Sequence, residues 1–165
     1  MTAGATNGDD AVLVLRPSGS AFDAAAPPAG FLDALWCLVA RLHDAGLAHG
    51  EIDGDHLIVD GSGRLGIRDL RGATAVASGS QRTTDLVQAL VTSVAVAGMP
   101  AALAAARRHL GDERLAGTLP FLQPAVLTPA QRRSVAAGAL DLRGLREAVA
   151  AASAPTCRRC TSCAG

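Results

Sequence analysis

The stretch Leu42–Leu70, LHDAGLAHGEIDGDHLIVDGSGRLGIRDL, gathers three of the chain's four histidines and six of its fifteen acidic residues into one glycine-punctuated span. Its second half reads as a β-hairpin, because two short β-favouring runs, LIVD (57–60) and RLGIRDL (64–70), flank Gly61-Ser62-Gly63. Gly61, Gly63 and Gly66 also match G-x-G-x-x-G, but a dinucleotide site needs a helix to open at those glycines. Here the residues after the turn keep alternating, so the glycines are read as a turn. Upstream of the hairpin lies the acidic loop HGEIDGDH (49–56), and upstream of that a helix. Phe31, Leu32, Leu35, Trp36, Leu38, Val39 and Leu42 recur at spacings of three and four, and Gly46 supplies the stop.

Outward from this centre the chain is mostly helical. Residues 1–10 are expected to be a disordered lead, AVLVL (11–15) a short strand, and the proline-rich stretch to residue 29 a linker. Thr83-Thr84-Asp85 is read as the N-cap of a helix running through Ala97, and Pro100 as the start of another ending near Gly111. Pro120 and Pro124 interrupt short helical pieces, and Thr128 with Pro129 opens a last helix whose polar face carries Arg143, Arg146 and Glu147. His43 and His109, inside helical runs, are read as capping or surface histidines. The 21 residues Leu86–Ala106 carry no charge and are nominally long enough to cross a bilayer. Gln88, Thr92, Ser93 and the Gly98-Met99-Pro100 break argue instead for two packed helices.

Composition narrows the function. Hydrophobic residues make up 49% of the 165, enough for a core, and with three Phe, one Trp and no Tyr that core must be aliphatic. Fifteen basic residues balance fifteen acidic ones, which gives no electrostatic footprint for a nucleic acid. Every basic residue is arginine, so a mechanism that requires lysine is excluded. The N-terminus lacks the basic and apolar regions of a secretory signal, and a cytoplasmic start is expected. Cys37 sits in the first helix, and Cys157, Cys160 and Cys163 form C-x-x-C-x-x-C at the C-terminus. Three thiolates without a fourth ligand nearby make a weak zinc or iron–sulfur signal, and a flexible tail is the simpler reading.

The loop and hairpin together carry chemistry of a recognisable layout. His49-Gly50-Glu51 precedes His56 by five residues from Glu51, and thirteen residues separate His56 from Asp69. One carboxylate near an acceptor hydroxyl, with metal ligands at the ends of a rigid hairpin, is what phosphoryl transfer requires. On these residues the stretch resembles the catalytic and metal loops of the protein-kinase-like superfamily, including aminoglycoside-phosphotransferase relatives. In that resemblance His49 is the structural histidine and Glu51 stands at the catalytic aspartate position. His56 takes the place of the metal-binding asparagine, Asp69 that of the metal-binding aspartate, and Asp85 that of the buried acid bracing the catalytic loop. The pattern through LPFLQPAVLTPAQRR (119–133) and LRGLREAVA (142–150) is similar to kinase-like modules of actinobacterial flippase-type membrane proteins, of the lysylphosphatidylglycerol-synthase class.

The resemblance implies an α+β, mostly α fold: a kinase-like C-terminal lobe over residues 30–152, with a hinge-like segment at 11–29, a small hairpin and most of the upper lobe missing. Residues 153–165 are left as the cysteine-rich tail. Glu51 is one methylene longer than aspartate, which displaces a base, and imidazole at 56 is a poor ligand for a hard ion. With no lysine to meet ATP phosphates, the expectation is a catalytically silent module that acts through protein contacts and takes no cofactor. Its partner would be a protein supplying an upper lobe or a membrane domain, at the inner face of the membrane. Two other readings compete: a residual phosphotransferase using ATP with Mg²⁺ or Mn²⁺ on Glu51 and Asp69, and an unrelated helical domain whose Asp53, Asp55 and Asp60 merely cap turns.

Overall fold

The three-and-four periodicity from Phe31 becomes helix α1 (Phe31–Asp44) in the computed structural model, which describes residues 3–7, 10–14 and 19–153. Phe31, Leu35, Trp36 and Val39 are buried on its inner face. Gly46, at φ 80°, turns the chain out of the helix, and its N–H bonds the His43 carbonyl at 3.0 Å.

The architecture is α+β and mostly helical, with five α-helices and small antiparallel sheets. Strands β1 (Ala3–Asn7) and β2 (Asp10–Val14) form a hairpin, which corrects the expectation that residues 1–10 carry no structure. β3 (Ser20–Ala21) lies in the segment read as a linker and pairs with β5. β4 (Leu47–Ala48) follows α1. β5 (Leu57–Val59) and β6 (Leu65–Ile67) are the hairpin read from the sequence, with Leu57 opposite Ile67 and Val59 opposite Leu65. Its turn is held by Asp60, whose carboxylate accepts from the Ser62 and Arg64 amides, the Ser62 hydroxyl and the Arg64 guanidinium. β7 (Thr74–Ala75) returns to pair with β4, closing a small ladder beneath the 49–56 loop.

Helix α2 (Gly79–Ala97) starts earlier than residue 83. Ser78 accepts from the Gln81 amide and Gln81 accepts from the Ser78 amide, a complete capping box that outcompetes the Thr83–Asp85 start. Asp85 through Ser93 are all buried, which explains why the helix carries no charge from Leu86 onward and why Asp85 needs partners. The helix ends at Gly98 (φ 77°, ψ 161°), and α3 (Met99–Ala116) begins with Pro100 in its first turn. Among the described residues no helix is long and apolar enough to cross a membrane. Gly111 breaks α3 locally with φ 75°, ψ 168°, but helical turns resume to Ala116. Ala102, Ala105 and Ala106 are fully buried, and these small side chains let α3 pack closely on its neighbours α2, α1 and α5.

The prolines at 120 and 124 each sit in the first turn of a short 3₁₀ segment, Leu119–Phe121 and Pro124–Val126. The final helix read from Thr128 onward is two helices, α4 (Pro129–Ala136) and α5 (Leu142–Ser153). Gly138 at φ 72° ends the first, and the Asp141 carboxylate accepts the Gly144 amide at the start of the second. On α5, Arg143 pairs with Glu147 while Arg146 reaches the Leu122 carbonyl. The core is mainly aliphatic, as composition requires, with Leu35, Ile52, Leu57, Leu90, Leu115, Leu122 and Leu145 fully enclosed and Phe31 and Trp36 buried beside them.

Candidate functional site

One face of α2 holds the acidic loop by its backbone. Asp85, Gln88 and Thr92 stand at i, i+3 and i+7, so they share a stripe facing residues 49–52. The Asp85 carboxylate accepts the His49 amide (2.8 Å), the Gly50 amide (2.7 Å) and the His43 Nε2–H (3.1 Å). Gln88 accepts the Ile52 amide and donates to the Gly50 carbonyl, and Thr92 donates to the Ile52 carbonyl. From α4, Gln131 adds a donor to the Ile52 carbonyl at 3.1 Å and bonds Gln88 and Thr92. A buried loop backbone must find such partners or lose their hydrogen-bond energy. His43 is thus an interior residue, 8% exposed, and the surface or capping reading of it is corrected. His109 is partly exposed and bonds Asp33 at 2.8 Å.

His49 links the loop to the hairpin. Its Nε2–H donates to the Arg68 carbonyl at 3.1 Å, and its Nδ1 accepts the Glu51 amide at 3.2 Å, a pattern that fixes the ring's tautomer. Gly50 adopts φ 81°, a left-handed conformation that suits glycine, so the next carboxylate, Glu51, is aimed away from the buried brace. Asp69, immediately after the carbonyl that His49 grips, is itself left-handed at φ 61°, ψ 75°.

Glu51, half-exposed, lies with Oε2 3.4 Å from His56 Nε2. The other ring nitrogen of His56, Nδ1, bonds the Asp53 carboxylate at 2.7 Å. Asp53 is buried, and the same oxygen also caps the 3₁₀ turn Gly54–His56. Asp69 is taken up by Arg71: Oδ1 accepts the Arg71 Nε–H at 2.7 Å and Oδ2 meets Nη2. This guanidinium holds the Asp69 carboxyl far below its ordinary range, with a smaller contribution from the charge of His56. Arg71 in turn is pushed up by Asp69 and, more weakly, by Glu51, so the four side chains share one electrostatic neighbourhood.

The residues do not fit the divalent ion implied by the resemblance. Asp69 has both oxygens engaged by Arg71, and His56 faces carboxylates through both nitrogens. Among the described residues no group of three or more His, Cys, Asp or Glu side chains is placed to hold a metal. Cys157, Cys160 and Cys163 lie outside the described residues. Comparison of the chain with protein-family models, curated proteins and solved structures returned no match.

Sequence reasoning singled out Asp85 but missed His43, Gln88, Thr92 and Gln131 as parts of the same clamp. A signal existed for two of them. Gln88 and Thr92 are polar residues inside an uncharged helical run, spaced by four, and such residues need partners when buried.

Proposed function

We propose that this chain is a degenerate kinase-like lower lobe that works through protein contacts and does not transfer phosphate. The observation that carries the reading is the Asp85 carboxylate beneath the loop, accepting the His49 and Gly50 amides at 2.8 and 2.7 Å. A surface turn capped by its own aspartates has no use for an acid 35 residues away in a buried helix. Three further features support it: the His49 ring on the Arg68 carbonyl, the left-handed Asp69 one residue later, and Glu51 beside His56.

The silent character follows from the side chains at the reactive positions. Charge developing on a transferring phosphoryl group must be met by cations, normally a lysine and metal ions. The chain has no lysine, and Asp69 is neutralised from within by Arg71. Glu51 sits beside an imidazole already held by Asp53, an arrangement that orders a loop without leaving an ion between them. A lobe of this kind presents a fixed surface, and a protein that supplies an upper lobe is the partner it suits.

Thermal denaturation with ATP and Mn²⁺ tests the reading. No shift in midpoint at millimolar ATP is expected for the wild-type chain. A shift that Asp69→Ala abolishes would overturn the silent reading in favour of a residual phosphotransferase site.

A further inference from the structure

We propose that Arg71 is the resident cation of the Asp69 loop, holding it closed without nucleotide or metal and keeping divalent ions out. The geometry is that of a fork closing on a carboxylate: Nε to Oδ1 at 2.7 Å, Nη2 to Oδ2, and the Arg71 amide to Oδ1 at 3.4 Å. The carboxylate therefore caps the 3₁₀ turn Leu70–Gly72 and binds its guanidinium at once. The hold also offsets the cost of the left-handed backbone at Asp69, φ 61°, a conformation aspartate tolerates better than most residues but does not prefer.

The histidine at this place is committed to carboxylates, and the neighbouring arginines are engaged away from Asp69. His56 bonds Asp53 through Nδ1 and faces Glu51 through Nε2. Arg68, one residue before Asp69, donates through Nε and Nη2 to the Asp55 carbonyl, so it tightens the base of the same hairpin from the other side. Arg64 is engaged by Asp60 at the far turn. Arg71 is thus the cation that serves both Asp69 and, at longer range, Glu51. A guanidinium on a short tether is already at the site and costs the protein no search for an ion, which gives a loop whose order does not depend on cellular metal or nucleotide.

The inference deepens the silent-lobe reading, and it can fail separately from it. Amide hydrogen exchange by NMR on the full chain follows the Arg71 and Ala73 amides, which bond Asp69 Oδ1 and the Leu70 carbonyl. Arg71→Gln is expected to speed their exchange about threefold to fivefold, the range an exposed bidentate pair supports, and Asp69→Asn to do the same. Arg64→Gln, the control of equal charge change on the distal turn, is expected to leave them unaltered. The buried Val87 and Leu90 amides report whether each variant is folded. Mg²⁺ at about 10 mM is expected to leave wild-type exchange unchanged, because the ion would have to displace the guanidinium. The proposal is overturned if Arg71→Gln leaves the loop amides as they were, whatever Asp69→Asn does. It is equally overturned if Mg²⁺ protects those amides in the wild type and Asp69→Asn removes that protection. The Asp85 contacts are untouched by these variants, so either result leaves the lobe reading to its own test.

Discussion

Three donors converge on the Asp85 carboxylate, and each comes from a different place: α1, the loop amide of His49, and that of Gly50. Asp85→Asn keeps the size but turns an N–H toward one of those donors, leaving a buried group opposed. The expected cost is about 3 kcal/mol, measured by urea denaturation, whereas a surface acid such as Glu147 changed to Gln should cost within a few tenths. Asp60 acts on the hairpin by a different route. The Ser62 hydroxyl, the Arg64 amide and the Arg64 guanidinium hold its carboxyl well below the ordinary value of 3.8. A depressed acid contributes stability above its unfolded pKa and loses that contribution as pH falls below 3.8 toward the folded value. The difference in melting temperature between wild type and Asp60→Asn should therefore be present near neutral pH and shrink as pH is lowered below about 4. A difference that persists in strong acid would show that the turn does not depend on the ionised form. At this scale the sequence was informative where a residue acts on its neighbours: Asp60 and Gly63 announce the turn because everything they bond lies within four residues. It was uninformative for His43, since a histidine in a helical run looks the same whether its ring meets solvent or an acid 42 residues on.

The elements divide in the same way. α1 was legible because its buried positions recur with helical spacing against a polar remainder. α2 was harder, since burial on nearly all sides erases the amphipathic signal, and the start read at Thr83–Asp85 overlooked Ser78. The capping box Ser78–Gln81 prevailed, which leaves Thr83 as an ordinary second-turn residue donating to the Gly79 carbonyl. Ser78→Ala should accordingly destabilise the chain by about 1 kcal/mol, and Thr83→Ala by much less, both read from chemical denaturation; the opposite order would place the helix start at residue 83. The division of residues 128–153 into α4 and α5 depended on Gly138, whose left-handed turn a run of alanines does not foretell. β1 was missed for a plainer reason: AGATN has little of the β-branched or aromatic character that marks a strand, and it pairs only because β2 follows at once.

At the scale of the whole molecule, the order of elements around the site was legible and its supports were not. Helix, acidic loop, hairpin and second helix follow in the order read from residues 31–97. The clamp is long-range, with Gln131 reaching back 79 residues to Ile52, and no local pattern encodes such a contact. Its consequence is a loop that should behave as part of the core. The most direct measurement of that claim is amide hydrogen exchange at His49, Gly50 and Ile52. The account predicts that all three exchange only with global unfolding, as slowly as Leu90 at the centre of α2, and that Asp85→Asn accelerates the first two most. Exchange of these amides at the rate of an exposed turn in the wild-type chain would contradict it.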